Sequence, residues 1–204
     1  MPLPHQMLER WLRSVMRVIS WEAGEDGQRA VPDSADWQRR WTIGAGAVAL
    51  EPVTRRMAQG VLDSGPITAR FEQGALHDRI AQAMGIAIRD IDSGAAATLP
   101  TVWLVIRRAD ARILGDIGLH GPPGHQGSVE IGYSLAPSAR GKGIGTAAVS
   151  ALIKRLAAIP RIRRVTAVTG TSNTASRRLL ERQGFHLTGQ LPATDEMRYT
   201  LNLR

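Results

Sequence analysis

The chain has 204 residues and a formal net charge of +8, from 26 Lys and Arg against 18 Asp and Glu. That is one ordinary domain with some excess, long enough to bury a substantial core. It contains no cysteine, which excludes a disulfide framework, a thiolate nucleophile, a cysteine acyl-enzyme and a cysteine-ligated metal.

Near the amino terminus, His5 to Ser20 places Met7, Leu8, Trp11, Leu12, Val15, Met16 and Ile19 at helical spacing, with Glu9, Arg10, Arg13 and Arg17 on the other side. This predicts an amphipathic helix interrupted by charge, not a signal core or a membrane span. It is expected to dock on its own domain or on a second copy in a homodimer, with membrane-surface binding a minor alternative. Glu22 to Asp36 reads as a polar connection, and Trp37 and Trp41 as anchors returning the chain to the domain. The expected division is therefore an extension over 1–44 and a main domain over 45–204. With no targeting or spanning segment, a cytoplasmic location is expected.

From there the pattern alternates. Ala47 to Glu51 predicts a strand, Pro52 to Leu62 a helix with proline in its first turn, and Gly74 to Ile88 a helix burying Leu76, Ile80, Ala83, Met84 and Ala87. Val102 to Arg107 and Ile113 to His120 predict a hairpin, followed by a Gly-Pro-Pro-Gly loop at 121–124 and a strand over Val129 to Leu135. A helix over Ile144 to Ala158, a strand over Arg164 to Thr169, a short helix, and strands near Phe185 to Gly189 and Met197 to Leu203 complete the chain. The fold class expected is α/β, in which one mixed sheet carries helices on both faces.

The most informative stretch is Tyr133 to Thr146, Y-S-L-A-P-S-A-R-G-K-G-I-G-T, a strand that stops at Pro137 and enters a helix through alternating glycines. Glycine lets a backbone approach a ligand closely, and the first amides of a helix are unpaired and partly positive, so the loop reads as an anion cradle. The plainer alternative is a tight connection and nothing more. A Walker loop is excluded because Gly145 is followed by Thr146 and Ala147 with no lysine. A dinucleotide fingerprint is excluded because Thr146 stands where its third glycine belongs and Ile162 to Val168 offers no acid.

Charge supports the cradle. Residues 1–44 balance six arginines with six acids, whereas Ser138 to Arg182 holds ten basic residues against Glu181 alone. Such a field attracts a polyphosphate ligand, although a solvated basic face is the plainer reading of any single arginine. Nucleic acid is disfavoured as a partner, because aromatic residues are 4% of the chain and none interleaves with the basic cluster. The histidines at 5, 77, 120, 125 and 186 lack ligand spacing and are read as surface or packing residues, so no metal is assigned.

Arg140, Gly143 and Gly145 spell R-x-x-G-x-G, with Glu130 on the strand before, N-x-x-S at Asn173 to Ser176 after the next strand, and Gly184-Phe185 beyond. In this order of motifs the chain resembles the GCN5-related N-acetyltransferase (GNAT) superfamily over roughly Ala47 to Leu203. Many members place a tyrosine seven residues after that asparagine, where this chain has Leu180. Ser176, Leu180-Glu181 and E-I-G-Y at Glu130 to Tyr133 resemble the ribosomal-protein-alanine N-acetyltransferase, or RimJ/RimL-like, branch.

The resemblance implies a mostly antiparallel mixed sheet and acetyl-CoA, or another acyl-CoA, as co-substrate. It implies that Arg140, Gly141, Lys142, Gly143, Ile144, Gly145 and Thr146 take the pyrophosphate. Backbone groups of Tyr133, Ser134 and Leu135 hold the pantetheine arm, and Asn173 hydrogen-bonds the carrier. Glu130 is the implied general base and Ser176 the implied acid; these roles suit a reaction in which an amine must lose a proton and a thiolate must gain one. Plainer readings stand beside them: an exposed Glu130 paired with an arginine, and Ser176 or Asn173 as a helix cap.

The acceptor that the resemblance implies is a primary amine. A protein or peptide α-amine is favoured over a small amine (an aminoglycoside, a polyamine or an amino acid), over use of succinyl-CoA, and over a non-catalytic acyl-CoA-binding module. A deep acidic pocket would favour a cationic small molecule, and an open groove an extended peptide.

Overall fold

The computed structural model describes residues 34–75, 78–121, 123–124 and 126–203. The amphipathic segment His5 to Ser20, most of the polar connection and Leu76 lie outside them. The described chain begins with Ser34, whose hydroxyl caps α1 (Ala35–Trp41) by accepting from Trp37 N–H. Asp36, expected in the connection, therefore lies in a helical first turn, where an acid is favoured. Trp37 and Trp41 are both buried, and the Trp37 indole donates to Ala96 O at 3.2 Å, while the Trp103 indole donates to Trp41 O at 3.0 Å. The anchoring expected of this pair is met by those bonds and by their place in the core.

Two strands follow where one was expected. β1 (Ile43–Ala45) and β2 (Val48–Pro52) form a tight hairpin, with Gly46 supplying a left-handed φ of 64° at the turn. Pro52 ends β2 rather than opening the helix. α2 (Arg55–Leu62) starts instead at Thr54, whose hydroxyl accepts from Met57 N–H. α3 (Asp78–Asp92) begins four residues later than predicted, because Gly74 occupies a turn at φ 75°. Ile80, Met84 and Ala87 are buried as the periodicity required, and Ala83 is partly so.

The hairpin is as expected: β3 (Val102–Arg107) pairs antiparallel with β4 (Ile113–Leu119). Next come β5 (Ser128–Leu135), α4 (Ile144–Ala157), β6 (Arg164–Gly170), α5 (Thr174–Arg182), β7 (His186–Leu191) and β8 (Glu196–Asn202). The eight strands make one sheet in the order β1-β2-β3-β4-β5-β6-β8-β7, antiparallel at every pairing except β5 with β6. The mixed, mostly antiparallel sheet is thus the one predicted. Among the described residues no helix is long and apolar enough to cross a membrane.

One feature of the register positions the site. β5 and β6 pair only from Ser128↔Arg164 to Ile131↔Ala167. Beyond that, Gly132 to Leu135 pair only with β4, and Val168 to Gly170 only with β8. Two adjacent parallel strands therefore part in mid-sheet, and their facing backbone groups lose each other as partners at that point.

Candidate active site

The chain leaves β5 at Leu135, turns through Pro137–Ala139 and reaches Gly143, the N-cap of α4, at φ 76°. No side chain caps this helix and no acid lies in its first turn. Its first internal bond is Ala147 N–H to Gly143 O at 2.9 Å, so the amides of Ile144, Gly145 and Thr146 precede the helical ladder. They carry the positive end of the dipole.

The three glycines have different duties. Gly141 and Gly143 both adopt positive φ, and a Cβ added to either would meet no neighbouring atom of the described residues within 4 Å. Their bareness therefore serves the space outside the loop. At Gly145 a Cβ would stand 2.9 Å from Leu179 Cδ1 and 3.4 Å from Leu135 Cδ1, so this glycine seats α4 against β5 and α5. Arg140 donates from Nε to Leu135 O at 3.0 Å, which ties the loop to the end of β5. A diphosphate suits this donor set: amides ahead of the helical ladder, two open glycines, and Arg140 and Lys142 alongside.

The basic run divides in the same way. Arg177 donates to Tyr199 Oη at 3.3 Å and to Thr171 O at 3.0 Å, and Tyr199 donates on to Glu181. Arg155 lies over the Trp41 ring at 4.4 Å and donates to Arg40 O. Both are fixed as parts of the fold, away from the loop.

Where β5 and β6 part, side chains from distant sequence meet. Asn173 is the N-cap of α5, its Oδ1 accepting from Ser176 N–H at 3.1 Å. Ser176 is thus on the first turn, and its Oγ lies 2.8 Å from Tyr133 Oη. Burial pushes the Tyr133 phenol above its usual pKa, and the hydrogen bond with Ser176 opposes that shift in part. The sequence assigned only the backbone of Tyr133 to the site. Its hydroxyl pair with Ser176 spans 43 residues and has no local signal. Leu180, at the position where a tyrosine was absent, is fully buried.

Strand alternation turns Glu130 and Ser134 to the opposite face from Tyr133. Ser134 donates to Asp116 on β4. Glu130 lies at an open cleft of about 480 Å³ lined by Ser128 from β5, Arg164 and Thr166 from β6, Arg198 and Thr200 from β8, and Thr188 from β7. Its Oε1 is 3.2 Å from His120 Nδ1. A purely surface or packing role for His120 is thus incomplete; the β4–β5 register, in which His120 N–H donates to Glu130 O, places it beside the carboxylate.

A model of the acetyltransferase (GNAT) domain matches residues 48–186. The uncharacterised N-acetyltransferase YjdG of Bacillus subtilis (strain 168) is 32% identical over 85 residues, 42% of this chain and 51% of its own length. The chain spans about half the length of the curated relatives it matches. Mycobacterium smegmatis RimJ, solved with CoA-disulfide, superposes with a TM-score of 0.55 at 23% identity, covering 79% of this chain and 87% of that one. RimL, a ribosomal L7/L12 alpha-N-protein acetyltransferase solved with coenzyme A, gives 0.58 at 16%, covering 79% and 97%. At these identities the likeness is one of fold, and the family follows from the match spanning more than half the sequence: the chain belongs to the acetyltransferase (GNAT) domain family.

Proposed function

We propose that this protein transfers an acetyl group from acetyl-CoA to a primary amine, by direct attack with Glu130 as general base. The observation that carries the reading is the parting of β5 and β6, with an uncapped helix start and a bare glycine loop on one side and Glu130 in an open cleft on the other. Family membership supports the donor, as do the coenzyme A complexes of neighbours sharing the fold.

When bound, acetyl-CoA supplies an activated acyl carbon. Ile144, Gly145 and Thr146 amides with Arg140 and Lys142 would hold its diphosphate, and the edge of Gly132 to Leu135 that lies beyond the β5–β6 register would hold the pantetheine arm. Asn173 spends its Oδ1 on the helix cap and keeps its amide N–H groups for the carrier. Glu130 accepts the proton that an attacking ammonium must lose, directly or through a water. His120, at hydrogen-bond distance, orients the carboxylate. On the other face Ser176 is placed to donate to a departing thiolate, with Tyr133 on its oxygen to share the proton.

For the acceptor, we favour the α-amine of a protein or peptide. The cleft is open and holds two arginines with one carboxylate, the reverse of the acidic pocket a polycation requires. RimL, which shares the fold, is an alpha-N-protein acetyltransferase, and this supports the same class. The amphipathic segment before Trp37 would then dock on the domain or join two copies, in the cytoplasm.

The test is a thiol-release screen of the full chain with acetyl- and succinyl-CoA against peptides, amino acids, polyamines and aminoglycosides. Release with acetyl-CoA and peptides, lost in Glu130→Gln, is expected. Turnover that survives Glu130→Gln would remove this residue as base, and no release with any amine would return the chain to the non-catalytic acyl-CoA-binding reading.

A further inference from the structure

We infer that the acceptor carries a negative charge near its amine, as carboxylate or phosphate, and that Arg198, with Arg164, binds it in the cleft beside Glu130. The inference rests on the acetyl-transfer reading and narrows its acceptor class.

Register gives the layout. Glu130 lies level with Thr166 on β6 and Thr200 on β8. Arg198 stands opposite Val168, one step past the last residue of β6 that pairs with β5, so it is on the side where the strands part. Arg164 lies opposite Asn202 and Ser128, on the closed side. Each arginine is thus two residues from the row of Glu130, about 7 Å along the strands. An amine between Glu130 and the parting strands would have Arg198 beside it, and a longer acceptor running back along the cleft would reach Arg164.

Chemistry separates the arginines from the rest of the lining. Thr188 and Thr200 hydroxyls bond each other at 2.8 Å, and Thr166 donates to Val129 O at 3.3 Å. These groups already have partners. Arg164 donates from Nε to Asn202 Oδ1 at 3.2 Å and meets no carboxylate among the described residues. The Arg198 guanidinium has no hydrogen-bond or ion-pair partner among the described residues, although it is only partly exposed. A guanidinium offers five donors in a planar fork that matches carboxylate and phosphate oxygens. Two such groups against one carboxylate repel a polycation and favour an anion.

Matched acceptors test this with the full-length protein: a peptide with glutamate at its second residue against the glutamine peptide, glycine against glycinamide, and phosphoethanolamine against ethanolamine. The peptide pair reports an acidic side chain, the second pair an α-carboxylate, the third a phosphate. A charged hydrogen bond is among the stronger ones, so the acidic member of at least one pair is expected to have a kcat/KM about tenfold or more higher. Arg198→Gln should remove that preference through KM, and Arg198→Lys should retain part of it. Calorimetry in the Glu130→Gln background gives a readout independent of turnover: the preferred acidic acceptor binds, and adding Arg198→Gln abolishes the heat. Equal or better use of the neutral members, or binding indifferent to Arg198→Gln in a variant that melts with its parent, overturns the inference while leaving acetyl transfer intact. If no amine turns over, acetyl transfer fails, and calorimetry with the three acidic ligands still decides whether the cleft binds an anion.

Discussion

The loop before α4 and the cleft beside Glu130 serve opposite faces of the same parted strands, and they are built from different materials. The loop works with backbone: helix amides, two glycines that no atom of the described residues crowds, and a helix start that no described side chain caps. The cleft works with side chains, projecting from four strands that converge only through the sheet order. A backbone site requires particular residue types at fixed spacing. A side-chain site on a sheet face tolerates substitution at each position, which suits a donor site held constant while acceptors vary.

The sharpest way to break this contrast is to put a side chain into the loop. The Gly143→Val side chain starts in open space, since a Cβ there meets no atom of the described residues within 4 Å. Its main cost to the fold is a β-branched residue held at positive φ, about 1–3 kcal/mol. Acetyl-CoA affinity by calorimetry should nevertheless fall by about a hundredfold or more, the equivalent of roughly 3 kcal/mol. Normal affinity in a folded variant would mean that the helix start does not grip the carrier.

On the other face, Glu130→Gln should leave acetyl-CoA affinity unchanged and lower kcat at neutral pH by about 10²–10⁴, the range expected of a positioned base. A parallel loss of carrier affinity would show that the two faces are not separable. Ser176→Ala should cost less, about tenfold in kcat, because a hydroxyl assists departure of a thiolate that is already a fair leaving group. Asn173 still caps α5 in that variant, so an unfolded helix would not explain the loss. If kcat is unchanged, Ser176 is only a first-turn residue.

How far the sequence could be read follows the same line. The strand, cradle, helix, strand order around Arg140 was legible because glycine, proline and apolar periodicity act locally. The strand breaks were not: Pro52 was read as a helix start when it closes β2, and Gly74 as part of a helix when its positive φ lies in the turn before one. In both, a residue compatible with two local structures was settled by its neighbours in space. Glu130 could be placed on a strand, but its partner His120 and the arginines of the cleft needed registers between strands 10 to 70 positions apart. Tyr133 and Ser176 were each visible, and their contact was not.

That contact yields the smallest expected effect, and it reports whether the gap between β5 and α5 is dry. Burial raises the Tyr133 pKa, so above about pH 10, the ordinary phenol value, the native state keeps a proton that the unfolded chain has released. The stability from this group is complete below that pH and declines as pH rises through the folded value. Tyr133→Phe loses the bond to Ser176, about 1 kcal/mol at pH 8, and also loses the ionisation. Urea unfolding should therefore find the variant less stable at pH 8, with the gap narrowing steadily above pH 10 as the wild type is forced to ionise a buried phenol. A gap that stays constant across that range would mean that the phenol titrates as it does in water, and that solvent already fills the space in which Ser176 is proposed to hand over its proton.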